Sequence, residues 1–418
     1  MLCAHAALAL RLRTVAWPEV TTPAYLWSRG MLMYRDIKFI HTPGLMGALA
    51  AAFLAFGASA GLLRVFALLG PLVAHGFLLG HTRRLPPGQR IVASGFFLAL
   101  FYASDGNAVW PTVLMSALAI PIAIALARGR VPSAGLLIGF AVLMKQTAAY
   151  VLLLAAARLA LEHRFRSAAR LLLFGSLPFL AVTAVFALLG SGREMVRWTL
   201  RMPLVMRPLI STGLPGAFPL AMLLFAFLPA TLEAFTEPEG EERDRASWLL
   251  LVAAGFAWMA YPRFQMLQTV AAVPCLALSA ALFMSREARW RPRAATAFVA
   301  LFAASRAATI AAGGDFDGKV LFWNDEPAFD ELIGRLRKLP PGSKVYSQLW
   351  GNVLPRGGFL PPGGIYVHPW LDRYFPGEGL DAAIRKAAVR ERAYVVGYRS
   401  SGATGEVVGP YRISPPPP

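Results

Sequence analysis

The chain has 418 residues, 56% of them hydrophobic and only 15% charged, with Lys+Arg 41 against Asp+Glu 23 and a formal net charge of +18. Soluble domains are about 45–50% apolar and about 25% charged, so a mean hydropathy of +0.52 excludes a disordered, collagenous or nucleic-acid-coating protein. Cys3 and Cys275 stand far apart without partners at ligand spacing, which supports neither a disulfide framework nor a zinc site.

A helix that crosses a bilayer needs about 20 mostly apolar residues. Stretches of this kind fall near residues 2–16, 60–80, 91–104, 108–127, 133–145, 147–161, 168–189, 214–235, 247–260, 265–284 and 294–312. The predicted fold class is therefore mainly α: a polytopic helical membrane protein with about 11 transmembrane segments. The first stretch carries Arg11 and Arg13 and reads as a first helix, not a cleaved signal peptide, because its start is uncharged and no clean cleavage pattern follows. Lys145 falls in the middle of 133–161. A lone lysine at mid-bilayer is costly and usually faces a cavity or an interface, so two helices meeting at Lys145 are expected.

Every second connection is basic: Arg83, Arg84 and Arg90; Arg128 and Arg130; Arg164, Arg166 and Arg170; Arg286, Arg289, Arg291 and Arg293. By the positive-inside rule these face the cytoplasm. Residues 17–43, 104–107, the Lys145 turn, 190–213, 261–264 and everything beyond about 313 then face outward, in a multi-pass membrane protein. Arg193, Arg197 and Arg201 recur every four residues, which predicts one basic face of a helix lying along the membrane, with Trp198 as interfacial anchor and lipid headgroups as its partners.

The tail changes character. Residues 325–338 carry acids first, bases last and apolar residues at helical spacing, and a strand is expected at 344–348; 380–392 and 393–397 repeat that order. Helix then strand, twice, predicts a small α/β domain. Between them, 350–375 is rich in Gly, Pro and aromatic residues and reads as a long loop, and the Pro-rich end as disordered. The expected division is a transmembrane domain over 1–312 and an extracytoplasmic α/β domain over 313–418 with a disordered Pro-rich end.

The first outward loop holds two acids, Glu19 and Asp36, among Arg29, Arg35, Lys38 and His41. A carboxylate at the mouth of a membrane cavity is placed to act as a general base on a hydroxyl, since partial burial raises its pKa. The same spacing also fits ion pairs with Arg29 and Arg35 in a solvated loop. Lys145 and Arg263 stand at membrane segments on the outward side, where ionisable groups are functional by default. With Arg35 they are the candidates to hold a phosphate. His75 and His163 read as packed or solvated, and no phosphate-binding glycine loop follows a strand.

Glu19, Tyr25, Arg29-Gly30, Tyr34-Arg35-Asp36, His41-Thr42-Pro43-Gly44, Phe56-Gly57 and Arg64, together with the Gly135, Gly139 and Lys145 segment and Tyr261-Pro262-Arg263-Phe264 with Pro274, resemble bacterial GT-C glycosyltransferases. These are the polytopic enzymes related to protein O-mannosyltransferases and aminoarabinose transferases, which use polyprenyl-phosphate sugars. The resemblance covers about 300 residues in short motifs. It implies Glu19 first and Asp36 second as catalytic acids, Lys145, Arg263 and Arg35 on the donor phosphate, and Tyr25, Tyr34, His41 and Gln146 around the acceptor or cavity. It implies a polyprenyl-phosphate sugar donor and a glycan, lipid or protein acceptor, no nucleic acid, and no required cofactor; a divalent metal is compatible with Glu19 and Asp36 but is not demanded by them. The chain departs from the family where paired acids usually precede the tyrosine, holding Thr21 and Thr22 there, and where a histidine usually follows the late arginine, holding Gln265 and Gln268. A lipid or solute transporter is the alternative, but it predicts two related halves, and no internal symmetry is seen. A non-catalytic assembly partner also fits a polytopic body.

Overall fold

A computed structural model describes residues 1–205, 217–237, 239–261, 265–285, 317–323, 326–349, 351–368, 379–399 and 404–416. In chain order the elements are α1 (Leu2–Arg11), β1 (Thr14–Val15), α2 (Pro18–Ser28), β2 (Ile37–Lys38), α3 (Gly44–Phe56), α4 (Ala60–His81), α5 (Pro87–Ala103), α6 (Pro111–Ala127), α7 (Val131–Met144), α8 (Ala149–Leu161), α9 (Phe165–Leu188) and α10 (Gly192–Val196). They continue with α11 (Ala217–Thr236), α12 (Glu241–Trp258), α13 (Val273–Met284), β3 (Val320–Leu321), α14 (Pro327–Leu336), β4 (Val345–Ser347), α15 (Val353–Gly357), β5 (Tyr366–Val367), α16 (Leu380–Arg390), β6 (Tyr394–Tyr398), β7 (Glu406–Val408) and β8 (Tyr411–Ser414). The architecture is a mainly helical, polytopic membrane fold with a small C-terminal sheet.

The expected stretch 294–312 and the loop carrying Arg286 to Arg293 lie outside the described residues, as do Arg263 and Pro417–Pro418. Most of the other apolar stretches appear as helices close to their expected bounds. The first is shorter than expected: its helix stops at Arg11 because Leu12 turns extended (φ −74, ψ 147), and Thr14–Val15 leaves as a strand. Lys145 breaks the run 133–161 as expected. Its backbone is extended (φ −155, ψ 123), and the short 3-10 turn Gln146–Ala148 leads into α8.

The described chain forms two compact units. The first comprises Met1–Arg13, Phe66–Val182 and Ile210–Gly318. At its centre, 89% of the apolar window in Met266–Met284 is buried, whereas only 22% of that in α9 is. Leu172, Leu173, Leu177 and Leu180 are therefore exposed apolar side chains on a helix long enough to cross a bilayer, an arrangement lipid satisfies and water does not. Helix α7 approaches α9 through small residues. A Cβ on Gly139 would lie 2.5 Å from the Gly175 carbonyl oxygen, and one on Gly135 would lie 2.9 Å from that of Leu171, so the Gly-x-x-x-Gly spacing serves close helix contact.

The second unit comprises Thr14–Val65, Thr183–Leu209 and Lys319–Pro418. It differs from the division expected at residue 313, because residues 14–65 and 183–209 join the tail. Parallel pairs make that connection: β1 with β3, and β2 with β5 in the register Ile37 to Tyr366 and Lys38 to Val367. The tail itself holds a four-stranded sheet in the order β4-β6-β8-β7, parallel between β4 and β6 and antiparallel elsewhere. Helix α14 buries Phe329, Leu332, Ile333 and Leu336, the spacing of an amphipathic helix. The β7–β8 hairpin adds to the two helix–strand pairs read from the sequence.

Three local expectations are corrected. Residues 17–43 are not simply a loop, since Pro18–Ser28 is a helix whose residues Pro18 to Leu26 are all buried. Trp198 is 1% exposed and donates its indole N–H to Glu194 at 3.2 Å, so it packs inside the unit and is no interfacial anchor; Arg197 and Arg201 lie on a π-helical turn, wider than the α-helix assumed. Residues 350–375 are not one loop, since α15 and β5 lie within them. Helix α3, absent from the expected spans, has 13 residues; at about 1.5 Å per residue it is too short for a hydrocarbon core about 30 Å thick.

Candidate active site

Glu19 lies in the first turn of α2, after Trp17 at the N-cap and Pro18 at the first helical position. Proline is suited there because its missing N–H would be unsatisfied anyway, and a carboxylate in a first turn meets the positive end of the helix dipole. Glu19 is 7% exposed, which rules out the reading of it as an acid in a solvated loop. One residue brought from elsewhere in the chain, Tyr366, lies within its electrostatic reach. The Tyr366 hydroxyl is pushed well up by burial and by the Glu19 carboxylate, with the Thr22 hydroxyl opposing. A tyrosine so shifted stays protonated at physiological pH and can donate a hydrogen bond.

Asn352 fixes the start of the same helix. It is fully buried, donates its amide to the carbonyls of Ala16 at 3.1 Å and Phe322 at 2.8 Å, and accepts from the Thr21 hydroxyl. His368, one residue past β5, is 1% exposed, and burial pushes its imidazole down to about 3, so it is neutral. Neither Tyr366, Asn352 nor His368 was singled out from the sequence. The available signal was an Asn, a His and aromatics within a Gly/Pro-rich stretch, whose meaning depends on which strand it pairs with.

The Tyr34-Arg35-Asp36 motif is a tightly bonded turn. Arg35 donates twice to the Asp36 carboxylate, at 2.8 and 2.9 Å, and the Leu32 N–H donates to it at 2.8 Å. The Arg35 hydrogen bond holds the Asp36 carboxyl below the usual range, against partial burial, with the Leu32 N–H adding to the shift. Lys38 donates to the carbonyls of Tyr34 and Arg35. Tyr34 is fully buried in a left-handed conformation (φ 69) and donates to the His41 carbonyl at 2.9 Å. Tyr25 is buried, and its hydroxyl is pushed up by burial against the effect of Arg29. Of the two acids, Asp36 is occupied with its own turn, and Glu19 is the one set deep in a packed helix.

Lys145 and Gln146 belong to the other compact unit. Lys145 is 6% exposed and donates to the Gln268 amide oxygen, which also accepts from the Trp110 indole at 3.5 Å. Gln268 is thus the partner of Lys145 at the place where relatives of the resembled family carry a histidine nearby. The Thr112 hydroxyl donates to the Leu267 carbonyl at 2.7 Å and holds that turn on α6. Among the described residues no group of three or more His, Cys, Asp or Glu is placed to hold a metal ion.

No protein-family model matches the chain, and no curated protein does. Solved structures do. ArnT from Cupriavidus metallidurans bound to undecaprenyl phosphate superposes with a TM-score of 0.66 at 13% identity, over 99% of this chain and 96% of that one. The same protein in its apo state gives 0.60 at 12% identity over the same shares. The chain therefore shares the fold of ArnT over nearly its whole length.

Proposed function

We propose that the chain is an integral membrane glycosyltransferase that moves a sugar from a polyprenyl-phosphate donor to a cell-envelope acceptor hydroxyl on the outer face of the bacterial inner membrane. The observation that carries this reading is the fold shared over nearly the whole chain with a protein crystallised with undecaprenyl phosphate. The arginine-bearing alternate connections support an outward first loop and tail.

Glu19 takes the proton of the acceptor hydroxyl as its oxygen attacks the anomeric carbon. The bond between that carbon and the phosphate oxygen breaks, and the polyprenyl phosphate leaves with the electron pair. A single displacement inverts the anomeric centre. Lys145 and Arg263 are the cations assigned to the phosphate as its charge grows, the task for which a preorganised charged site is most effective. Tyr366 holds its hydroxyl within electrostatic reach of Glu19, and Asp36 with Arg35 shapes the turn.

The test is transfer from a radiolabelled polyprenyl-phosphate sugar in membranes containing the protein. Glu19→Gln should lower transfer by roughly 10²–10⁴-fold, the contribution of a positioned general base, while the protein still inserts. Asp36→Asn should retain most of its turnover. Full activity of Glu19→Gln, alone and combined with Asp36→Asn, would remove the general-base role.

A further inference from the structure

The tail sheet and the turn after β3 enclose a cleft of about 300 Å³ lined by Phe322, Glu326, Phe329, Gly351, Tyr398 and Tyr411. Small-molecule sites run from roughly 300 to 1,000 Å³, so this one accommodates a small polar ligand or one ring of a longer chain. Its walls are aromatic. Phe329 meets Tyr411 edge-on with centroids 5.9 Å apart, Tyr398 lies 6.2 Å from Tyr411, and Tyr398 is 48% exposed. At the rim the Tyr411 hydroxyl donates to the Glu326 carboxylate at 2.6 Å.

The turn that supplies Phe322 is strained. The Trp323 N–H donates to the Val320 carbonyl at 3.0 Å, which makes Phe322 the third residue of a β-turn, and its φ is +64. That position favours glycine, and a bulky residue in the left-handed region is strained. Asn352 holds the turn through the Phe322 carbonyl. The phenyl ring gained there packs on Trp17 with centroids 5.3 Å apart. Trp17 caps the helix that carries Glu19, so one wall of the cleft is continuous with the start of that helix.

We propose that this cleft binds a sugar ring of the acceptor. Aromatic faces take the C–H face of a pyranose, and a carboxylate and tyrosine hydroxyls take its hydroxyl groups. A purely apolar ligand would make no use of the Glu326 carboxylate and the Tyr411 hydroxyl at the rim, and an anionic one would be repelled by Glu326. The proposal rests on the glycosyltransferase reading above for the identity of the ligand as acceptor, though the cleft's affinity for sugar can be measured without turnover.

The experiment uses the full chain in detergent, with saturation-transfer NMR against lactose, maltose, cellobiose and N,N′-diacetylchitobiose, and choline as a cationic control. At least one disaccharide should bind, and Tyr398→Ala and Glu326→Gln should each weaken it roughly ten-fold, as loss of one ring platform or one hydrogen-bonding carboxylate would. Undecaprenyl phosphate binding, followed in parallel by thermal shift, should be unchanged in both variants. Because Tyr398 is half exposed and Glu326→Gln preserves shape, both variants should melt like the parent. No disaccharide binding, equal binding by parent and variants, or binding of choline in place of sugar overturns the proposal. Failure of undecaprenyl phosphate to bind while sugar does would instead remove the donor half of the glycosyltransferase reading and leave the cleft assigned.

Discussion

The Tyr366 backbone N–H donates to the Asp36 carbonyl oxygen at 2.8 Å, within a parallel two-residue ladder that registers Tyr366 opposite Ile37. Residues from opposite ends of the sequence are thereby fixed to each other, and the Tyr366 hydroxyl comes within electrostatic reach of Glu19. The acid-bearing first loop and the tail form a single packed unit.

Tyr366→Phe keeps the ring and the ladder and removes only the hydroxyl. If that hydroxyl orients the Glu19 carboxylate, transfer should fall roughly 5- to 10-fold, the value of one hydrogen bond of about 1–1.5 kcal/mol. Thermal unfolding should be nearly unchanged. Steady-state rates with the radiolabelled donor check this, and a variant as active as the parent would limit Tyr366 to a packing role.

Asn352 bonds two carbonyls and one hydroxyl while fully buried. Asn352→Ala strands those carbonyls and should destabilise the protein by about 1–3 kcal/mol. Asn352→Asp should be worse despite its identical shape, because it removes the only donor and turns an oxygen toward two carbonyl oxygens. Melting temperatures of the detergent-purified variants in the order parent, Ala, Asp are expected; an Asp variant as stable as the parent would contradict the assigned amide orientation.

His368 and Asp36 both make stability fall as pH falls, in different windows. The folded state holds His368 at about 3 against an ordinary 6.5, so unfolding takes up a proton throughout that interval. Stability is therefore complete above about 6.5 and falls toward pH 3, with a slope approaching 1.4 kcal/mol per pH unit for this one group. Asp36 is held below its ordinary value by Arg35, so its contribution is present above about pH 4 and is lost as pH falls through the lowered value. His368→Gln should flatten the melting-temperature profile between pH 6.5 and 4. Arg35→Gln should lower the melting temperature by an even amount above about pH 4 and flatten the acid limb below it, because Asp36 loses the partner that lowers its pKa.

Much of this architecture was legible because it is local. Length and apolar content located most of the membrane helices, and the cost of a mid-membrane lysine predicted the break at Lys145. The alternation of amphipathic helix and strand in the tail carried its own period in α14, β4, α16 and β6. Glu19 was visible as an acid beside a membrane segment, and the surrounding motif raised it above Asp36.

The misread parts lack a local period. Helix α2 holds Thr21, Thr22 and Pro23 and is buried from Pro18 to Leu26, so no apolar stripe betrays it. Trp198 stands among arginines spaced by four, which look like a solvated face until Glu194 and the packed unit enclose the indole. Strands β2 and β5 have two residues each, too few for alternation to register. Sequence by itself determined the membrane body, its helix breaks and a carboxylate worth examining, because span length and helical period are written in neighbouring residues. Only the tertiary structure decided that Glu19 is enclosed with Tyr366 and that Asn352 anchors its helix, because both relations depend on a strand register between distant segments that no local pattern encodes.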